Sequence, residues 1–471
     1  MNDPVIRPLL ERAAQYAISY RGDVSTASPY ASASAEELRL GFDTGLPEFG
    51  RPGAEVIEQL SKVARPGLLG VSGDAFYGWV MGGSHPVGVA ADWLTSAWGQ
   101  NAGIFQTSPA AAIAEEVAGK WLLDLLDLPP ESSIGFTTGA TMASFICLAT
   151  ARQDVLRRHD WDITEDGLFG APEVSVYISE EAHSSVFATL RFLGFGQRRL
   201  NRIRADKQGR MLVGDLERQM HEDTSPKIII SQAGHINSGA CDDFEALSRL
   251  AAACGAWLHV DGAFGLWARC TSDKRDLCAG VDKADSWAVD GHKWLQVPYD
   301  SGYAIVKDAV AHQNAMAITA SYLNQSHDDG RNPSHYVPEL SRRARGFATW
   351  AVLQALGRKG VAEIISETCA NAQRLAARLR DVQGIKILND VCLNQVALAF
   401  ETADGQADGD ALTGRVIDQL QSDGEWFLKE ATWQNRRIMR LSFSSQAKAD
   451  TEIDRFSDAI AAAWRTVRAG A

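Results

Sequence analysis

The chain has 471 residues, of which 45% are hydrophobic and 22% charged, and its formal net charge is −13. This composition is typical of a soluble globular protein, and the length predicts two or three structural units rather than one core. The acidic balance disfavours a general nucleic-acid-binding protein, which would usually present a basic face.

The cysteines and the apolar runs predict the compartment. There are seven cysteines, an odd number, and no C-x-x-C pair, so free thiols in a reducing compartment are expected and a zinc or other metal site is not. The N-terminus lacks the apolar run of a secretory signal, and no stretch reaches the roughly 18 apolar residues of a membrane span. These features predict a cytoplasmic protein with no membrane or nucleic-acid partner.

The first part of the chain predicts helices and loops. Residues 1–69 form a helical segment, with helical spacing in "SAEELRLGFD" and "GAEVIEQLSKVA". "GVSGDAFYGWVMGGSHPVG" is rich in glycine and aromatic residues and predicts a loop. "SPAAAIAEEVAGKWLLDLLDLP" predicts a long amphipathic helix that ends at Pro129.

The middle of the chain alternates between short apolar strands and helices. "IGFTTGAT" is predicted as a loop before a helix, and strands are expected in "EVSVYIS", "KIIISQ", "AWLHVD", "DSWAVD" and "SGYAIV". This alternation predicts an α/β fold with a mainly parallel sheet over residues 70–355. Two helices and the strands "VCLNQVALAF" and "RRIMRLSFSS" then predict a small C-terminal α+β domain at 356–471.

The stretch "TTGATMAS", Thr137 to Ser144, lies where a loop enters a helix. Small residues let backbone N–H groups approach an anion, and the helix N-terminus favours negative charge. The hydroxyls of Thr138 and Thr141 would add donors. The alternative is an ordinary helix N-cap.

Three further residues follow predicted strands. His183 in "SEEAHSSV" can stack on a flat ring or transfer a proton, or simply form structural hydrogen bonds. Asp261 in "HVDGAF" can face a ligand cation or cap a turn. Lys293 in "DGHKW" can be an imine-forming nucleophile, or a lysine whose stem is buried and whose ammonium reaches water.

These sites together fit one ligand. An anion site, a ring-stacking imidazole, a carboxylate and a lysine amine match the phosphate, ring, ring cation and aldehyde of pyridoxal 5′-phosphate (PLP).

The motifs "SPAAAIAEEVAGKWL", "EAHSSV", "HVDGAF" and "DGHKWL", in this order and spacing, resemble those of the PLP-dependent group II amino-acid decarboxylases, which act on aromatic amino acids, tyrosine, histidine, glutamate or 2,4-diaminobutyrate. The resemblance implies a fold-type I enzyme and a homodimer with shared active sites, in which residues 1–69 assist dimerisation. Lys293 matches the Schiff-base lysine, Asp261 the partner of the pyridinium nitrogen, and His183 the ring-stacking residue. Other positions match cofactor-binding residues: Ala140, Thr141, Asn237, Ala263 and His292.

By the same resemblance, "AFYGWVMGGSHP" matches a segment of the substrate pocket. Tyr77 and Trp79 are therefore candidates for that pocket, with Phe105 and Phe76 as further aromatic residues. The alternative for these rings is packing in the core or at a subunit interface.

The chain also departs from many relatives. Asp290 stands where asparagine is frequent, and Ile236 stands where a hydroxyl often occurs. The tyrosine that protonates the carbanion in the family has no direct counterpart. Tyr336 is the nearest candidate and Tyr322 lies further off.

The resulting prediction is decarboxylation of an L-amino acid, with a slight preference for aromatic substrates, to an amine and CO₂. Small diamino or acidic substrates remain open. One alternative is other chemistry on the same cofactor: oxidative decarboxylation to an aldehyde, transamination, for which Arg440 would hold the substrate carboxylate, or carbon–carbon lysis. Another is a non-enzymatic protein that kept the fold.

Overall fold

The computed structural model describes residues 6–318, 330–402 and 407–470. The helices in these ranges are α1 Ile6–Gly22, α2 Ala35–Phe42, α3 Gly53–Ala64, α4 Pro86–Trp98, α5 Pro109–Leu125, α6 Ala140–Arg157, α7 Ile163–Asp166, α8 Ser184–Phe192, α9 Val213–Met220, α10 Phe244–Cys254, α11 Ala309–Met316, α12 Gly346–Leu379, α13 Gly409–Ser422 and α14 Asp450–Ala469. The strands are β1 Ser133–Thr137, β2 Ser175–Ser179, β3 Asn201–Ile203, β4 Lys227–Gln232, β5 Trp257–Asp261, β6 Ser286–Asp290, β7 Gly302–Val306, β8 Ile385–Ile387, β9 Gln395–Phe400, β10 Lys429–Trp433 and β11 Arg436–Ser442.

Seven strands form the larger sheet, in the order β1-β7-β6-β5-β4-β2-β3. Four neighbouring pairs, from β3 through β2, β4 and β5 to β6, are parallel. Only β7 runs against its neighbours, β1 and β6. The α/β prediction with a mainly parallel sheet is therefore confirmed, and the carboxyl ends of all strands except β7 meet at one edge.

Both faces of this sheet are covered, as its apolar strands require. In β4 the side chain of Ile229 enters one hydrophobic core, and Ile228 and Ile230 enter the core on the opposite face. Alternate residues of a strand point to opposite faces, so a continuous apolar run is buried on both sides. Because both faces of the sheet are packed, the polar residues that follow the strands lie at the carboxyl edge of the sheet.

The smaller sheet is antiparallel, in the order β10-β11-β9-β8. It packs against α13, α14 and the end of α12 around its own core. The predicted domain boundary at 355/356 falls inside α12, whereas the packing of α12 changes from the larger core to the smaller one between Cys369 and Ala372. The boundaries stay predictions.

The N-terminal segment lies apart from both cores. None of the residues in α1, α2 and α3 is buried. The segment is tied down by polar contacts, such as the Arg21 guanidinium to the Ser84 carbonyl at 2.6 Å and the Tyr30 hydroxyl to the Trp426 carbonyl at 2.6 Å.

One local prediction was wrong. The start of "IGFTTGAT" is strand β1, because Phe136 and its neighbours are buried against β7. The two helices expected after residue 340 are confirmed, since α12 consists of two helical parts that meet at a kink at Gly357, whose φ is 58°. Among the described helices, none combines the length and apolar composition that crossing a membrane requires.

Candidate active site

The predicted site residues converge at the carboxyl edge of the larger sheet. A cavity of about 360 Å³ opens there between the loops that follow β1, β2, β5 and β6. Seven of the predicted residues line it: Ala140, Thr141, His183, Asp261, Ala263, His292 and Lys293. Residues up to 153 positions apart in the sequence meet here because parallel strands end at one edge.

Lys293 forms an ion pair with the unexpected residue Asp290. The Lys293 Nζ lies 2.9 Å from Asp290 Oδ2, and both side chains are largely removed from solvent. Asp290 ends β6, and the turn that follows places Lys293 in the lining of the cavity. The lysine is thus held at a fixed position by a buried partner rather than extending into water.

Asp261 and His183 face the same cavity. Burial raises the pKa of Asp261, and the nearby His183 and Lys293 partly offset this effect. Loss of hydration lowers the pKa of His183 below its usual value, although Asp261 acts in the opposite direction. A buried carboxylate in this setting is stabilised by a cation, and a neutral imidazole can stack on a ring.

His183 is also the N-cap of α8. Its Nδ1 accepts a hydrogen bond from the Ser185 backbone N–H at 3.3 Å and lies 2.7 Å from the Ser185 hydroxyl. These contacts leave Nε2 as the nitrogen that carries the proton in the neutral ring. The orientation of the imidazole is therefore set by the beginning of the helix.

The opposite end of the cavity is the N-terminus of α6. Gly139 precedes the helix, and a Cβ atom there would lie 3.0 Å from the His292 ring and 3.2 Å from Asp290 Oδ1. A Cβ on the facing Gly302 would lie 2.4 Å from the Gly139 backbone. Glycine at both positions keeps this cradle open, so a phosphate fits the backbone and hydroxyl donors present.

Two predicted residues lie outside the cavity. Asn237 is buried, and its Oδ1 accepts a hydrogen bond from the Arg440 guanidinium at 3.4 Å. The hydroxyl of Tyr336 accepts a hydrogen bond from the Gln313 amide at 2.7 Å, and its ring packs edge-on against His312. In the single chain both side chains are engaged outside the cavity, and both assignments stay predictions; Tyr322 lies outside the described residues.

The aromatic substrate-pocket candidates do not line this cavity of the single chain, and they stay predictions. Tyr77 is 0% exposed and stacks on Phe456 in the core of the small domain. Phe76 is buried and stacks on Phe427, which also contacts Trp79. Phe105 begins a 3-10 turn outside the cavity. Tyr77 and Phe76 thus pack in the interior of the chain, whereas Trp79 is 42% exposed.

Two polar side chains of the cavity were missed. Gln232 ends β4, and Ser185 follows His183. The rule that polar residues at strand ends face the ligand would have indicated Gln232. The second serine of "HSSV" would have been found from its capping contact with His183.

An anion-binding helix N-terminus, a lysine and a strand-end carboxylate around one cavity define the class of fold-type I PLP enzymes. The conserved domain of pyridoxal-dependent decarboxylases matches residues 36–401. The chain belongs to this family, so its cofactor is PLP and its activity class is that of the PLP-dependent amino-acid carboxy-lyases.

The chain is 28% identical over 374 residues to the aromatic-L-amino-acid decarboxylase of Bacillus atrophaeus, a match that covers 77% of this chain and 75% of the relative. It is also 28% identical over 440 residues to the L-2,4-diaminobutyrate decarboxylase of Rhizobium meliloti (strain 1021), covering 90% and 82%. The structure of Oryza sativa TDC with PLP and tryptamine superposes with a TM-score of 0.92 and 21% identity over 99% of both chains. That likeness shows the fold.

Proposed function

We propose that this enzyme decarboxylates an L-amino acid to the amine and CO₂, with Lys293 as the lysine that binds the cofactor covalently. The observation that carries the proposal is the convergence of Lys293, Asp261 and His183 on one cavity beside the N-terminus of α6. PLP supplies an aldehyde for the lysine and a ring that accepts electrons when the carboxylate departs.

Each residue has a distinct task in this proposal. The Lys293 amine is the nucleophile, and Asp290 orients it. Asp261 holds a proton on the ring nitrogen, because a carboxylate next to a cation stabilises the protonated form. His183 packs against the ring, and Thr141 with the amides at the start of α6 receives the phosphate.

The test is a screen of L-amino acids in which CO₂, amine, ammonia and peroxide are all measured. The wild-type enzyme is expected to release equal amounts of amine and CO₂ from its substrate. Lys293→Ala should abolish both turnover and the visible absorbance of the bound cofactor. Exposed Lys283→Ala is the control and should retain both. Near wild-type turnover by Lys293→Ala would refute the proposal.

The aromatic preference stays a prediction. The sequence predicts this preference from the aromatic residues Phe76, Tyr77, Trp79 and Phe105, and these residues do not line the cavity of the single chain. Aromatic, acidic and diamino acids therefore belong in the same screen, and the ratio of their kcat/KM values decides the substrate class.

A second candidate is oxidative decarboxylation to an aldehyde. The observation that favours it is the placement of Tyr336, whose hydroxyl is held by Gln313 away from the cavity. Among the described residues no tyrosine lines the cavity to donate a proton, and an unprotonated product of decarboxylation would be open to oxidation by O₂. Peroxide and ammonia produced in equal amounts with CO₂ would identify this outcome, whereas amine alone would exclude it.

We further propose a homodimer with shared active sites. Leu46 and Phe49, between α2 and α3, are 99% and 80% exposed in the single chain, and such apolar patches usually mark an interface. The double variant Leu46→Glu/Phe49→Glu is expected to reduce association in light scattering. Phe169→Glu, at another fully exposed phenylalanine, should not. Equal association of all three proteins would contradict the proposal.

A cytoplasmic location also stays a proposal. All seven cysteines are free thiols, as a reducing compartment favours. Fractionation of the producing cells would test it.

A further inference from the structure

The Asp290 carboxylate contacts three groups of the cavity: the Lys293 amine, the His292 ring and the backbone amide of Ala140. The Asp290 side chain is 5% exposed. Oδ1 accepts a hydrogen bond from the Ala140 backbone N–H at 2.5 Å and lies 3.3 Å from His292 Nε2. Oδ2 lies 2.9 Å from Lys293 Nζ. One carboxylate thus contacts the lysine, the histidine and the first residue of α6.

The carboxylate is held firmly in this place. The Asp290 backbone N–H donates to the Ala263 carbonyl at 3.0 Å, and the Asp290 carbonyl accepts from the Trp267 indole at 3.0 Å. Oδ1 also lies close to Gly139, where a Cβ atom would approach it to 3.2 Å and only glycine leaves this space free. The side chain therefore has little room to turn away when an anion enters.

The position matters because the N-terminus of a helix is where an anion gains most from backbone amides. In this chain one of those amides is already engaged by a carboxylate. Two negative charges a few ångströms apart in a partly desolvated cavity repel each other strongly. Lys293 compensates one charge, and burial lowers the pKa of His292 so that its ring adds little positive charge near neutral pH.

We propose that Asp290 is a positioning residue that orders Lys293 and α6 before the cofactor binds, and that it competes with the phosphate of PLP. The enzyme consequently binds PLP more weakly and releases it faster than the same enzyme with an amide at this position. The inference rests on the proposed placement of the phosphate at the start of α6.

The experiment compares wild-type apoprotein with Asp290→Asn, which keeps the shape and the acceptor for Ala140. Affinity and dissociation rate are measured by the absorbance and fluorescence of PLP, and separately of pyridoxal, which lacks the phosphate. Asp290→Asn is expected to bind PLP at least about tenfold tighter, with a much smaller change for pyridoxal. Asp290→Ser is expected to shift in the same direction and decides the matter if the asparagine variant fails to fold.

Asp285→Asn is the matched control. Asp285 lies directly before β6, and its carboxylate also accepts from a backbone amide, that of Leu258 at 2.7 Å, but it is not part of the cavity. The Asp285→Asn variant should leave the affinities for PLP and for pyridoxal unchanged. Unchanged or weaker PLP binding by Asp290→Asn, or equal gains for PLP and pyridoxal, would overturn the inference.

Thr141→Val tests the phosphate placement independently. It should weaken PLP binding and spare pyridoxal. If it spares both, the placement at α6 is wrong, whatever the outcome at Asp290.

Discussion

At the scale of single residues, the buried carboxyl group of Asp261 is the group that a bound cation would stabilise in its ionised form. In the described part of the chain, its contacts are a hydrogen bond from the Ala263 N–H at 3.2 Å and the fields of His183 and Lys293. Burial raises its pKa in the absence of a cation in the cavity. A ring cation would favour the ionised form, so cofactor and carboxylate stabilise each other.

Asp261→Asn is expected to reduce kcat by at least about a hundredfold, because an amide stabilises the protonated ring nitrogen far less than a carboxylate. PLP should still bind. The measurement is steady-state kinetics with the identified substrate, alongside the cofactor absorbance. Asp285→Asn again serves as control, and an unimpaired Asp261→Asn would remove this residue from the mechanism.

At the scale of elements, the loop between β2 and α8 is tied to the small domain. Glu181 Oε2, two residues before His183, accepts a hydrogen bond from the Trp433 indole at 2.8 Å and lies 3.2 Å from His235 Nε2. Trp433 ends β10, so the small domain helps to hold the loop that carries His183, the residue proposed to stack on the cofactor ring.

Trp433→Phe removes this donor and keeps most of the packing. The expected result is a stability loss of about 1.5–3 kcal/mol, typical of a hydrogen bond to a charged group, together with a several-fold fall in kcat. Trp464→Phe is the control, because the Trp464 indole donates to the Gln383 carbonyl at 2.8 Å within the small domain. It should lose stability but not kcat. If the two variants lose kcat equally, the loop is not controlled through Glu181.

Gly357 forms the kink inside α12, between Leu353 and Val361, which both pack in the larger core. Its φ of 58° is unfavourable for residues with a Cβ, although no atom lies within 4 Å of the position a Cβ would take. Gly357→Ala is expected to lower the unfolding free energy by about 1–2 kcal/mol through backbone strain alone. Gly214→Ala in α9, equally unobstructed but without positive φ, should be neutral or stabilising. Thermal melting of both variants shows whether backbone strain or helix propensity determines the change in stability.

At the scale of the whole molecule, buried neutral histidines predict sensitivity to acid. Burial lowers the pKa of His259 to about 3, and the pKa of His312 likewise to about 3. The unfolded chain binds these protons near pH 6.5, whereas the folded chain does not until about pH 3. Stability from this source is complete above pH 6.5 and decreases as the pH falls towards 3.

Each such histidine contributes a slope of up to about 1.4 kcal/mol per pH unit in that window. His312→Gln should therefore show a shallower pH dependence of the unfolding free energy between pH 6 and 4 than the wild type. Urea unfolding at several pH values measures this. Parallel curves for the two proteins would show that His312 is not the source.

Much of the larger domain could be predicted because its signals are local. Strands such as "KIIISQ" are short apolar runs, and parallel pairing places their polar ends together. The short strands β3 and β8 carry too few residues for a pattern, and β1 was missed because its glycine and threonine resemble a loop until β7 pairs with it.

By itself the sequence determined the cofactor, and it predicted Lys293, Asp261 and His183 as residues that meet it, since each lies in a short motif with its own chemistry. Only the tertiary structure decided what distant residues do. It buried Tyr77 against the small domain, whose core residues follow about 300 positions later, and it joined Asp290 to the first amide of α6, 150 positions earlier. Such contacts depend on how strands and helices pack, and packing is a property of the whole chain rather than of any segment.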